Sequence, residues 1–247
     1  MPHPFEVRNE LEVDATPEQV WEAIATGAGI DGWFLGTGNE VEPRVGGRVR
    51  ISFGEEFGPS TVTTWDPPRR FGHRGDPAPD GSLHAFEYEI EGRGGKTLVR
   101  IVHSGFLGDD WEAEYEALTE GDFMYLQLMA QWIAYFRGRP VTTFGVFRPE
   151  TRGREQAMAL FQRGLGLTGS PAVGNPVRFP LDGQPPVDGV VDFTTASIVG
   201  VRTGDALYRF LYSPQGVVYA GHHLYRPSVD EAAAKAAWQA WLDRTFA

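Results

Sequence analysis

Apolar and polar residues alternate with period two from Phe5 to Val13, and Phe5, Val7, Leu11 and Val13 share one side. That pattern predicts a half-buried strand, with a bulge near Asn9. Thr16-Pro17-Glu18-Gln19 has the form of a helix start: a capping hydroxyl, a proline at the first helical position and a glutamine able to reach back to the cap. Val20, Trp21 and Ile24 supply the apolar face of this short helix. Gly27 and Gly29 are expected to end it, leaving Trp33 and Phe34 as exposed aromatics in the turn that follows. Strand patterns then recur. Val49, Ile51 and Phe53 alternate with Arg48, Arg50 and Ser52; Ser60 to Trp65 is rich in threonine and valine; Arg69 to Arg74 follows a proline turn. Leu83 to Ile90 places Phe86, Tyr88 and Ile90 opposite Glu87 and Glu89. After the loop Gly92-Arg93-Gly94-Gly95, Thr97 to His103 places Val99, Ile101 and His103 on one face and Arg100 on the other. The glutamate face and Arg100 are expected to be cross-strand neighbours on the solvent side.

The period changes to that of a helix between Trp111 and Arg139. Leu126, Met129, Ile133 and Phe136 form one stripe, and Leu128, Trp132 and Tyr135 form a second beside it, so cover is required on more than one side. Gly138 stands where a helix cap is expected and Pro140 follows. Gln127 and Gln131, one turn apart within this apolar segment, need solvent, protein or ligand partners. Residues 140–247 repeat the order of patterns: a strand from Val141 to Phe147, a helix from Arg154 to Leu165, and short strands at Val177–Phe179, Val190–Phe193, Ile198–Arg202, Leu207–Tyr212 and Val217–His222. A final helix opens at Ser228-Val229-Asp230-Glu231, which has the capping-box form, and carries Trp238, Trp241 and Leu242. Val45-Gly-Gly-Arg-Val-Arg50 is echoed by Val173-Gly-Asn-Pro-Val-Arg178, and Phe71-Gly-His-Arg74 by Val199-Gly-Val-Arg202. The expectation is two α+β domains, 1–139 and 140–247, the second a shortened copy of the first.

In the first of these, a curved antiparallel sheet with its helices segregated to one face leaves a space under the long helix. The ordered series Thr16-Pro17, Val20-Trp21, Trp33-Phe34, Pro43 with Gly46-Gly47 and Val49, Asp66-Pro67-Pro68 with Arg70-Phe71, Thr97 to Phe106, and Trp111 with the closing helix resembles the Hsp90-ATPase-activator-homologue-like family of the START-like, Bet v 1-like superfamily. The resemblance spans about residues 5 to 139. It implies a helix-grip fold, a sheet wrapped around a long helix with a cavity between them, and the binding of apolar small molecules. It carries over no catalytic set.

Composition narrows the function classes. Lys and Arg number 22 against 33 Asp and Glu, a net charge of −11, which argues against nucleic acid and anionic membranes as partners. Cysteine is absent, so disulfides, thiolate metal sites and cysteine nucleophiles are excluded. The first residues lack the basic-then-apolar form of a signal peptide and no apolar run approaches a membrane span, so a cytoplasmic location is expected. No cofactor and no metal site is expected; His222 and His223, adjacent in a strand, point to opposite faces. The acidic run Asp109-Asp110, Glu112, Glu114 and Glu116 suits a helix N-terminus. His103 reads either as a ligand-binding or acid–base group or as a hydrogen-bonded core histidine. The candidate cavity lining is Trp33, Phe34, Phe53, Phe86, Tyr88, Val99, Ile101, His103, Met124, Gln127 and Gln131, with no catalytic residue assigned. Three readings follow: a binding module for an apolar or amphipathic small molecule; a cyclase or aromatase using His103 and Tyr88; or a scaffold for a protein partner or a homodimer.

Overall fold

The computed structural model describes residues 2–52, 59–109 and 111–247, in two compact units, Met1–Gly138 and Arg139–Ala247. The first unit runs β1 (His3–Val13), α1 (Pro17–Ala25), α2 (Gly27–Asp31), β2 (Glu40–Val41), β3 (Arg48–Arg50), β4 (Ser60–Asp66), β5 (Arg70–Gly75), β6 (Leu83–Arg93), β7 (Lys96–Leu107) and α3 (Trp111–Tyr135). Its seven strands form one antiparallel sheet in the order β1-β7-β6-β5-β4-β3-β2. The chain therefore meanders back across the sheet until its last strand lies against its first. At 1.5 Å per residue α3 is roughly 38 Å long, enough to cross the sheet. It packs over β1 and β7. This is the helix-grip arrangement.

Local sequence explains the joints. Thr16 caps α1: its Oγ1 accepts from Gln19 N at 3.3 Å, and Gln19 Oε1 accepts from Thr16 N at 2.9 Å. Thr16→Ala should cost the first unit about 1 kcal/mol in a urea denaturation of the full chain. α1 ends at Ala25, ahead of Gly27 and Gly29 as expected, but a second short helix follows at once. Thr26 closes α1 and caps α2, and a Cβ on Gly29 would meet Glu22 O at 1.9 Å. Glycine is needed there for the close approach of one helix to the other. The bulge expected near Asn9 is absent, because Asn9 itself takes the inward position between Val7 and Leu11, and pairing with β7 runs unbroken from His3↔Leu107 to Val13↔Thr97. Arg100 lies opposite Glu89 and Glu10, with ion pairs to Glu10 at 3.4 Å and Glu91 at 3.3 Å on the solvent side, as the alternation implied.

The second unit runs β8 (Thr142–Pro149), α4 (Arg154–Gly164), β9 (Pro176–Phe179), β10 (Val187–Thr194), β11 (Ile198–Arg202), β12 (Ala206–Ser213), β13 (Val217–Leu224) and α5 (Glu231–Thr245). Its sheet order is β8-β13-β12-β11-β10-β9, the same meander closed by first strand on last, with one strand and one helix fewer. The two sequence echoes fall on matching strands, β3 with β9 and β5 with β11. Asp230, not Ser228, caps α5: its Oδ1 accepts from Ala233 N at 3.0 Å. The interior of this unit is an aromatic core that includes Phe161, Phe179, Phe210, Trp238 and Trp241. Asp192 and Arg209 form a bidentate pair at 3.0 Å, each side chain 3% exposed. The pair crosses β11 at Gly200, where a Cβ would come within 2.6 Å of Asp192 and 2.7 Å of Arg209. Among the described residues no helix is long and apolar enough to cross a membrane.

Candidate functional site

In the first unit two adjoining cavities lie between the sheet and α3. The larger, about 610 Å³, opens between β5, β6 and the segment after α2. The smaller, about 180 Å³, reaches inward to α3. Trp33, Phe34, His84, Phe86, Tyr88 and Glu114 line both, so together they make one continuous wall. That combined size and its aromatic lining are those of a small-molecule site.

Strand alternation sets the sheet wall. His84, Phe86 and Tyr88 occupy successive inward positions of β6, and Ile101 and His103 do so on β7, with Phe86 opposite His103 in the register. Phe86 stacks on His103 with centroids 4.0 Å apart, and on His73 of β5 at 5.1 Å. Helical periodicity sets the facing wall: Leu118, Asp122, Tyr125, Leu126 and Met129 recur at three- and four-residue steps of α3. Trp33 is buried, not exposed as the sequence suggested, because its Nε1 donates to Ala23 O at 2.9 Å and its ring meets Phe34 and Tyr125.

Of the expected lining, Trp33, Phe34, Phe86, Tyr88, Ile101 and His103 come together here. Phe53 lies outside the described residues. Val99, Met124, Gln127 and Gln131 line neither cavity. Val99 shares the face of Ile101 but is fully buried in the core. With about 3.6 residues per turn, Met124, Gln127 and Gln131 fall on the side of α3 opposite Asp122 and Met129. The two glutamines therefore face away from the cavity they were expected to line.

The sequence reading missed the polar heart of the site. Asp122 Oδ2 lies 2.8 Å from His103 Nδ1, and His103 Nε2 lies 2.9 Å from His84 Nδ1. Glu114 Oε1 stands 3.9 Å from His84 Nε2. Burial pushes the pKa of His84 down to about 4; His103 adds to this and Asp122 opposes it. Burial and His103 likewise push His73 down to about 4, and its Nδ1 is buried without a hydrogen-bond partner among the described residues. Burial, then the charge of Asp122, raises the Tyr88 phenol well above its ordinary value, so it stays protonated. One signal was available: His84 stands two residues before Phe86 in the same alternation. Asp122 carries none, since only the helix face, once known, separates it from the acidic residues around it. Among the described residues no group of three side chains is arranged to hold a metal ion.

Comparison with known proteins places this unit. Residues 14–133 match the family model described as activator of Hsp90 ATPase homolog 1-like protein. Among solved structures, protein MLL2253 from Mesorhizobium loti is 20% identical, covering 53% of this chain and 97% of its own, with a TM-score of 0.45. The Aha1 dimer from Colwellia psychrerythraea is 18% identical, covering 54% and 99%, also at 0.45. DynU16, a protein of the dynemicin biosynthetic locus, is 17% identical and covers 98% of this chain and 95% of its own at 0.45. No curated protein matches the chain. Over residues 14–133, just under half of its length, the chain is thus similar to the activator of Hsp90 ATPase homolog 1-like family.

Proposed function

We propose that the first unit binds an amphipathic small molecule of one to three fused or linked rings, in the cavity between β5–β7 and α3. The observation that carries this reading is the continuous wall of Trp33, Phe34, Phe86 and Tyr88 around about 610 Å³, with His73 and His84 as polar groups in the same lining. The apolar body of the ligand lies against the aromatic wall, and its oxygen atoms meet His73, His84 and Tyr88. Each of these is neutral near pH 7, so none requires a charged ligand. The first unit is favoured because the cavities of the second, about 320 and 420 Å³, lack such a continuous aromatic wall.

The test is a titration of the full chain with 2-naphthol, followed by tryptophan fluorescence, because Trp33 lines the site. Phe86→Ala removes the central ring of the wall and should weaken 2-naphthol about tenfold, the equivalent of about 1.4 kcal/mol of lost apolar contact. Gln127→Leu, on the far side of α3, should leave affinity unchanged. Equal loss in both variants, or saturation of neither cavity by 2-naphthol or by any ring compound that co-purifies in native mass spectrometry, would defeat the proposal.

A further inference from the structure

Charge is uneven around the two cavities of the first unit. Four acidic side chains line them: Asp76 and Asp80 the larger, Asp122 the smaller and Glu114 both. Among the described residues no lysine or arginine lines either one. Burial lowers the pKa of His73 and of His84 to about 4, so neither ring adds positive charge at pH 7. Asp122 is taken up by His103 at 2.8 Å. The sign of the field in the larger cavity is therefore set by Asp76 and Asp80, on the connection between β5 and β6, and by Glu114 beside the neutral His84. The connection fixes one of these carboxylates in place. Asp80 Oδ1 accepts from Ser82 N at 2.9 Å and from Ser82 Oγ at 2.7 Å, and these bonds hold its carboxyl below the usual range.

Acidic side chains alone mark a solvated edge. Here two further features point to a guest. One is the aromatic wall around the same space. The other is His73: the residue is 8% exposed, its ring lines the larger cavity, and its Nδ1 has no hydrogen-bond partner among the described residues. A cleft with walls of low polarity focuses the field of the charges along it. The faces of aromatic rings carry partial negative charge and attract cations as well. Both effects favour the same sign. A compact space of about 610 Å³ is about 10 Å across, close to one Debye length at physiological salt, so a charge inside it feels Asp76 and Asp80 without touching them. We propose that the ligand of this cavity is a cation, a ring compound bearing a protonated amine, with its rings against Trp33 and Phe86 and its ammonium within the field of Asp76 and Asp80. The proposal rests on the binding reading above and adds to it the charge of the ligand. An anion of the same shape meets each of these attractions as a repulsion.

The test is calorimetric titration of the full chain at pH 7 with three probes that share one ring system: 2-naphthylmethylamine, a cation; 2-naphthol, neutral; and 2-naphthoate, an anion. The amine should bind about tenfold tighter than 2-naphthol, and 2-naphthoate about tenfold more weakly. Raising sodium chloride from about 50 mM to about 500 mM should narrow the gap between amine and 2-naphthol to about threefold, with 2-naphthol itself unchanged. The double variant Asp76→Asn, Asp80→Asn should narrow it by about the same factor at low salt, with 2-naphthol affinity within about twofold. Glu87→Gln, on the opposite face of β6, also removes one negative charge from the chain and should leave the gap as it is. Equal affinity for the three probes, or tighter binding of 2-naphthoate, overturns the proposal. A gap narrowed as much by Glu87→Gln as by the double variant also overturns it, because the preference then belongs to the net charge of −11 and not to the cavity. In each of these cases bound 2-naphthol leaves the binding reading standing. Failure of all three probes to bind defeats that reading, and the charge preference falls with it.

Discussion

Asp192→Ala should destabilise the second unit by about 3–5 kcal/mol, the cost of leaving the Arg209 guanidinium buried with no opposing charge. Both nitrogens of the fork are engaged by Asp192, and the side chain is sealed between β10 and β12 over the bare backbone of Gly200. The Tyr208 carbonyl, 2.9 Å from Nη1, remains as a partner but carries no charge to offset it. Replacing both members, Asp192→Leu with Arg209→Met, should recover most of the loss, because the desolvation of two charges disappears along with their attraction. Urea denaturation of the full chain, with the indole signals of Trp238 and Trp241 reporting the second unit, measures both. A single variant that loses less than about 1 kcal/mol would show that water reaches the guanidinium.

Acid should weaken the same unit through one histidine. His222 is fully buried beside Trp238, at 4.0 Å between ring centroids, and near Tyr208, Phe144 and Phe210. Neither ring nitrogen makes a well-formed hydrogen bond among the described residues, the Gly221 backbone offering at most a weak one. Burial pushes its pKa from 6.5 down to about 3; the Gly221 carbonyl opposes this and His223 adds to it. The folded state therefore holds the ring neutral while the unfolded chain takes up a proton below about pH 6.5. Stability is full above that value and falls as pH drops from about 6.5 toward about 3, by about 1.4 kcal/mol per unit. Between pH 7 and pH 5 the loss should be about 2 kcal/mol. His222→Leu removes the titration, so its melts at pH 7 and pH 5 should differ by about 2 kcal/mol less than those of the wild type. Its stability at pH 7 should rise by about 1 kcal/mol, since two unsatisfied polar atoms leave the core. An unchanged acid slope in His222→Leu would place the sensitivity elsewhere.

Both cases show where sequence patterns stop. The strands holding Asp192, Arg209 and His222 were legible from β-branched and aromatic spacing, and the repeated meander was legible from two short echoes. The pairing of Asp192 with Arg209 was not, because it spans an intervening strand and depends on a glycine that reads as a strand weakness. Similarly, the wall formed by Phe86, Tyr88, Ile101 and His103 follows from alternation in a single hairpin. The line from Asp122 through His103 to His84 needs the rotation of α3 about its own axis, which two competing apolar stripes leave undetermined. Gln127 and Gln131 were misplaced for that reason. Gly27 and Gly29 were read as stop signals, and α1 does end at Ala25, but the pattern did not show that a second helix follows at once or that the small size of Gly29 lets it lie against α1.

The meander that closes each sheet by laying its last strand on its first has a consequence during synthesis. His3 finds its partner only when Leu107 has been made. At typical translation rates that wait is on the order of 10 s. Until then β1 has no neighbour in its sheet, and its Phe5 and Val7 side chains have no interior to enter. The second unit repeats the delay on a smaller scale, with Thr142 waiting for Leu224. Folding that must close so distant a pairing is slow, in the range of milliseconds to seconds after release. The nascent chain therefore offers an unpaired apolar strand edge twice, first for β1 and again for β8, and these are the segments a chaperone would meet first.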